Sequence, residues 1–248
     1  MNTSTSPALT PSARWLLGLS VGLLLLTLAW DAAALDLPTM LHIGTPRGFD
    51  LRHLPLLENV LHDGVRKVST VLFIAMIVWA VWRDSGRPGA TTRRERLTVL
   101  ALVTLSLLAV SVTKQFSRSS CPWEWTQFGG QAVYTSHWNL LASDGGGGSC
   151  FPGGHASGSL AFLALCLPWL WSPVAGRQAA IGWRWFALVV FAGLVSGVTQ
   201  TLRGAHPPSH TLWTGVICAA VTLTGWWLAL PKLRAARVSA EPALPGRS

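Results

Sequence analysis

Six long apolar runs decide what this chain can fold into. They cover about residues 15–34, 68–82, 97–113, 156–171, 185–202 and 211–230. A run of roughly 20 apolar residues makes a helix long enough to cross the hydrocarbon core of a bilayer, where every backbone N–H and C=O must be satisfied within the segment. The second run is short but fenced by Arg66 and Lys67 on one side and Arg83 on the other, and Pro168 near the end of the fourth can kink or stop it. Only 12% of the 248 residues are charged, about half the share of an ordinary soluble domain, and mean hydropathy is +0.41. A soluble globular enzyme and a disordered chain are both excluded. The expected fold class is all-α: a polytopic membrane protein whose six transmembrane helices form a bundle. One domain spans residues 13–231, between a disordered N-terminus (1–12) and a disordered basic tail (232–248) that follows Pro231. The triplet Ala32-Ala33-Ala34 resembles a signal-peptide cleavage site, but Asp31 interrupts it and further spans follow, so the first run reads as a retained span.

The net charge is +9. In a soluble protein that would suggest nucleic acid; in a polytopic one it marks cytoplasmic loops, and no nucleic-acid partner is expected. With the N-terminus inside, Arg14, the five Arg of segment 83–96, Arg177 and Arg184, and the tail's Lys232, Arg234, Arg237 and Arg247 are cytoplasmic, 12 of the 19 Lys and Arg. Both termini are then inside, and loops 35–67, 114–155 and 203–210 outside. All seven histidines fall on that outer face. Phe49–Val65 has leucines at helical spacing with polar residues between, the pattern of an amphipathic helix on the membrane surface starting near Pro55. Gly145–Gly148 reads as a flexible tether in the largest outer loop.

Three clusters sit where spans meet the outer surface. The first runs from Lys114 through Arg118 to Cys121-Pro122-Trp123. The second is Cys150-Phe151-Pro152-Gly153-Gly154-His155, and the third runs from Thr199-Gln200 through Arg203 and His206 to His210. Lys114 and Arg118 share a face if the third helix continues past Thr113. Three cations and two or three histidines at one surface suit a phosphate, for which Arg offers a planar fork and Lys a point charge. Gly153-Gly154 leading into a helix adds backbone N–H groups that favour an anion. Pro207 and Pro208 fit the first turn of the last helix, where their missing N–H groups cost little. Any one of these features has a bland reading, such as a snorkelling cation or a plain turn; their joint occurrence at three span ends does not.

The clusters resemble the three signatures of the type 2 phosphatidic acid phosphatase superfamily of integral-membrane lipid phosphatases: Lys-x6-Arg-Pro, Pro-Ser-Gly-His and Ser-Arg-x5-His-x3-Asp. Their counterparts are Lys114–Pro122, Pro152–His155 and Thr199–His210. Cys121 stands in place of the first Arg, Gly153 of the Ser, Thr199-Gln200 of the Ser-Arg, and His210 of the Asp. Arg118 and Arg203 lie three residues from the vacated Arg positions, about one helical turn. The chain is also similar to a bacterial sub-branch with Cys-Pro-Trp and Arg-Gly-Ala-His-x-x-Ser-His. The resemblance implies a phosphatase in the bacterial inner membrane, its site facing the periplasm, that acts on a phosphorylated lipid such as phosphatidic acid, undecaprenyl pyrophosphate or lipid A. It implies His206 as nucleophile forming a phosphohistidine and His155 as general acid. Lys114, Arg118, Arg203 and the Gly154 N–H hold the phosphoryl oxygens, with no metal or other cofactor. His210 takes the place of the Asp and accepts a hydrogen bond from the far nitrogen of His206. A second register makes His210 the nucleophile with Thr214 behind it.

The outer compartment is oxidising, so Cys121 and Cys150 are expected to form a disulfide, while Cys166 and Cys218 read as small core residues. A transporter would carry ionisable groups mid-span, and these spans lack them. A zinc hydrolase could draw on His137, His155, His206 and His210, but there is no HExxH and no neighbouring acidic cluster in the sequence. Phosphoryl transfer between lipids and non-catalytic lipid binding are the other functions such a surface could serve.

Overall fold

The structure is a computed structural model that describes residues 9–85, 87, 89–139, 141–174 and 176–240. Helix α1 (Pro11–Ala32) begins where the Thr10 side chain accepts the Ala13 N–H and Pro11 occupies a position that needs no donor. A short α2 (Asp36–Ile43) follows, then a π-helical segment (Leu56–Gly64) that runs directly into α3 (Val65–Val81). Helix α4 (Arg93–Phe116) opens on a capping box in which Thr92 and Glu95 satisfy each other's backbone N–H groups. After a long loop come α5 (Gly154–Leu160), a 3-10 stretch (Ala161–Cys166) and α6 (Leu167–Leu170). Two long helices end the chain, α7 (Ala179–Leu202) and α8 (Pro208–Ala240).

Five helical segments are long and apolar enough to cross a membrane: Pro11–Ala32, Leu56–Val81, Arg93–Phe116, Ala179–Leu202 and Pro208–Arg237. Their outward faces are apolar, with Leu25, Val71, Leu105, Phe191 and Trp227 each more than half exposed. The interior holds Ser106, Ser196, Thr199, Gln200, Thr214 and Thr222. These small polar residues lie beside an apolar core that includes Leu102, Leu167, Leu170 and Trp226, so both faces of the helices are largely apolar, as a bilayer solvent allows, and small residues let helices approach. On α7, Gly193 and Gly197 lie so close to the Leu160 and Thr211 side chains that a Cβ would stand 2.4 Å from each.

Four expectations need correction. The amphipathic segment before residue 68 and the second span are one continuous helix from Leu56, because Gly64 keeps helical dihedrals. The fourth apolar run is not one regular helix: it is wound tightly at Ala161–Cys166 and reaches Leu170 as a shorter apolar unit, Gly154–Leu170. The greater rise of the 3-10 stretch brings that unit to about 28 Å, close to the hydrocarbon thickness of about 30 Å. Pro231 does not end the last helix; buried Leu233 and the Arg237–Glu95 ion pair hold α8 to Ala240. The expected disorder of 1–12 and 232–248 therefore fails for 11–12 and 232–240, while residues 1–8 and 241–248 lie outside the described residues. Finally, the Gly145–Gly148 run is no slack tether. Gly146 N–H donates to Asp144, Gly147 N–H to Glu124 and Gly148 N–H to Ser120 Oγ.

At the end of the bundle expected to be cytoplasmic, buried Glu95 accepts two hydrogen bonds from Arg177, at 2.8 and 2.9 Å, and one from Arg237 at 2.9 Å. At the opposite end, Met40, Phe49, Trp125, Phe128 and Ala132 form a second small core that caps the helix ends. Gly204 touches this cap; its φ of +74° and the Phe49 ring 2.1 Å from where a Cβ would lie leave room for glycine alone.

Candidate active site

The three clusters are knitted together by their main chains. Trp123 N–H donates to Gly204 O at 3.0 Å, joining the first to the third, and Gly153 N–H donates to His210 O at 3.0 Å, joining the second to the third. Ser149 and Cys150 N–H donate to Ser117 and Ser119 O, at 2.8 and 2.9 Å, and join the second to the first. Cys121 and Cys150 are disulfide-bonded across the same seam, with Cα atoms 5.2 Å apart.

Lys114 occupies the last turn of α4, and its Nζ lies 3.8 Å from where a Cβ on Gly154 would be, beside the first turn of α5. His155 follows Gly154 on α5 and packs against His62 with the rings tilted by 36° and their centroids 4.0 Å apart. Lys114, Arg203 and Arg66 all lie within electrostatic reach of His155. Arg203 caps α7 and is buried; its Nε donates to Arg52 O at 3.0 Å and its Nη2 to Glu58 Oε1 at 3.2 Å.

His206 is wholly buried between α7 and α8. Its Nδ1 lies 3.3 Å from Cys150 Sγ and 3.4 Å from His210 Nδ1. The His210 Nδ1 also lies 3.1 Å from the Cys150 carbonyl oxygen. A carbonyl can only accept, so His210 carries its proton on Nδ1 and has no lone pair there to offer His206. The expected hydrogen bond from His206 into His210 is therefore absent: across that contact only His210 Nδ1–H can donate, and the disulfide sulfur is the other neighbour of His206 Nδ1. When its own proton sits on Nδ1, the Nε2 lone pair of His206 is free. Burial, reinforced by the positive charges of Lys114 and His155, holds the His206 pKa well below the usual 6.5. The imidazole stays neutral. Thr214 Oγ1 meets the Gly153 and His210 carbonyls, at 3.0 and 2.8 Å, and not the His210 ring, so nothing supports the second register.

Arg118 does not join the others. Helix α4 ends at Phe116 and Ser117 is extended, so the one-turn relation to Lys114 is broken. Its exposed guanidinium donates to Leu141 O at 3.0 Å. Sequence reasoning missed Glu58, His62 and Arg66, which come from the π-helical segment and the start of α3. The signal was present: the three recur every fourth residue, the spacing of one helix face.

His62, Arg66, Lys114, Gly154 and His155 line a cavity of about 420 Å³. It shares Val65, Ser69, Gly158 and Phe162 with an apolar groove of about 640 Å³ between α3, α5 and α7.

A profile of the PAP2 superfamily matches residues 96–234, more than half the chain and all three clusters. The chain belongs to the PAP2 superfamily. The match to PAP2 begins inside α4, so α1, α2 and the π-helical segment, with Asp31, Asp36, Glu58 and His62, precede it. Comparison with curated proteins and with solved structures gives no match. PAP2 membership is consistent with a hydrolase of the type 2 phosphatidic acid phosphatase class in a polytopic membrane setting. Cys121, Cys150 and His206 lie close enough to suggest a metal cluster, but the disulfide removes both thiolates as ligands.

Proposed function

We propose that the protein is a membrane lipid phosphatase that acts through a phosphohistidine on His206. The observation that carries this reading is that His155 and Lys114 line a cavity continuous with an apolar groove, with Arg203 within electrostatic reach of His155, and His206 of both Lys114 and His155, behind its wall. The His206 Nε2 lone pair attacks phosphorus in line with the leaving lipid oxygen. Burial and the neighbouring cations hold the His155 pKa down at about 4, and the negative charge of the bound phosphate raises it; as the N–P bond forms and the P–O bond breaks, protonated His155 gives its proton to the leaving oxygen. His155, now neutral, then takes a proton from water, whose oxygen attacks phosphorus, breaks the N–P bond and releases phosphate. Lys114 and Arg203 neutralise charge on the equatorial oxygens throughout, with the Gly154 N–H beside them.

The lipid's phosphate occupies the polar cavity and its chain the apolar groove. We place the site on the periplasmic face of the bacterial inner membrane, with six spans counting Gly154–Leu170 as the fourth and both termini inside. Purified protein is tested for phosphate release from phosphatidic acid, phosphatidylglycerol phosphate, undecaprenyl pyrophosphate and lipid A. Release from at least one, lost by a factor of about 10³ or more in His206→Ala, is the expected result. An undiminished His206→Ala enzyme rejects the mechanism, and no release from any of the four rejects the function.

A further inference from the structure

Behind the histidine pair, on the side away from the phosphate cavity, three groups that no step above uses come together. Asp31 ends α1, Asp36 starts α2, and His137 stands in the outer loop, where it stacks on Phe151 with ring centroids 4.3 Å apart and an interplanar angle of 6°. One ligand atom from each lies within 4.8 Å of those of the other two.

Two buried carboxylates this close need a cation or a proton between them. The third member decides which. His137 is 9% exposed and its Nε2 is 3.2 Å from Asp31 Oδ2. Yet an N–H on that nitrogen would miss the oxygen, and this buried Nε2 has no hydrogen-bond partner. A nitrogen and an oxygen at that separation, turned so that no hydrogen lies between them, have the relation of adjacent ligands on one metal. With metal–ligand bonds of about 2.0–2.2 Å, the edge of a tetrahedral shell is about 3.3–3.6 Å.

The surroundings fit the same reading. Asp31 Oδ2 accepts Trp138 Nε1–H at 3.0 Å and Trp213 Nε1–H at 2.8 Å. Asp36 Oδ1 accepts Trp30 Nε1–H at 2.8 Å and the Ser209 N–H at 3.1 Å, and its Oδ2 accepts the Ser209 hydroxyl. Ligating carboxylates are held by outer donors of this kind.

We propose that Asp31, Asp36 and His137 bind one divalent transition-metal ion, of the Zn²⁺ or Mn²⁺ class that suits two carboxylates and an imidazole. The ion ties α1, α2 and the outer loop to α8 one residue before His210. It takes no part in the transfer to His206.

Untagged full-length protein in detergent is equilibrated with Zn²⁺, dialysed and assayed for metal by mass spectrometry. About one equivalent is expected in the wild type and in His42→Gln, a surface control, and none in His137→Gln. Trp213→Phe, which keeps all three ligands but removes an outer donor, should weaken Zn²⁺ binding by about 10–100-fold. Because His137→Gln could misfold, wild type loaded with Co²⁺ is read separately for the visible absorption of a tetrahedral nitrogen–oxygen site. Less than one-tenth of an equivalent of Zn²⁺ in the wild type, equal content in His137→Gln, or a Co²⁺ spectrum no different from the hexa-aqua ion overturns the proposal. None of these readings depends on phosphatase activity, so failure here and failure of the phosphatase reading are distinguishable.

Discussion

Replacing Cys121 and Cys150 together by alanine removes the covalent tie between the first and second clusters and leaves every main-chain hydrogen bond of the seam in place. The two cysteines are 29 residues apart, and closing a loop of that length costs the unfolded chain about 3.6 kcal/mol in lost entropy. Residual structure in the unfolded chain reduces the realised value below this ideal-chain figure. A destabilisation of about 2–3 kcal/mol is therefore expected, on the order of 5–10 °C in melting temperature. The double variant also takes away the sulfur that faces His206 Nδ1 at 3.3 Å. A second loss, in kcat and not in substrate affinity, should accompany the thermal one. The assay is paired: thermal unfolding in detergent with and without reductant, and phosphate release by the same samples below the melting range. Reduced wild type and the double variant should coincide in melting, while the variant, which alone loses the sulfur beside His206, turns over more slowly. If both cysteines react with a thiol reagent before reduction, or if reduction shifts neither melting nor turnover, the reasoning is refuted.

Three further outcomes test other parts of the structure. Arg203→Ala should lower kcat/KM by about 10²–10³, whereas Arg118→Ala, whose guanidinium reaches only Leu141 O, should stay within about twofold of wild type; steady-state kinetics on one lipid separates them. Glu95→Ala strands the buried Arg177 and should cost about 3–5 kcal/mol, measured by thermal unfolding, even though no part of the phosphate site is touched. The pH dependence follows from the lowered pKa of His206. Neutral in the fold and protonated in the unfolded chain near pH 6.5, it contributes stability that is full above that pH and is lost as pH falls below it. The acid limb of kcat/KM should likewise lie below pH 6.5. An acid limb at or above that value, or melting that does not fall with acid, counts against a buried neutral nucleophile.

Much of this molecule was legible in the order of its residues. Apolar runs located the long helices because a bilayer admits no other solution, and the three clusters announced themselves as cations and histidines at span ends. Arg118 was misplaced for a local reason: pairing it with Lys114 assumed that α4 continued past Thr113 for more than another turn, and it stops at Phe116. The Gly145–Gly148 run looked slack because glycine composition signals freedom, and the hydrogen bonds that pin it come from Ser120, Glu124 and Asp144, of which the first two lie more than 20 residues earlier. The role of Asp36 could not be read locally, since its partner Ser209 is 173 residues away. Likewise, nothing near His210 revealed that its proton is committed to the Cys150 carbonyl.

The bonds from Asp31 to Trp213 and from Asp36 to Ser209 span 182 and 173 residues, which has a consequence for the order of events during synthesis. The ends of α1 and α2 are made first, and the start of α8 that completes them is made last. Until α8 is made, Asp36 has the Trp30 indole but not Ser209, Asp31 has the Trp138 indole but not Trp213, and His210 is missing. The site is consequently the final thing the chain builds. A truncated chain that stops short of α8 lacks, at this face, the Ser209 and Trp213 donors and the His210 carbonyl that receives the Gly153 N–H.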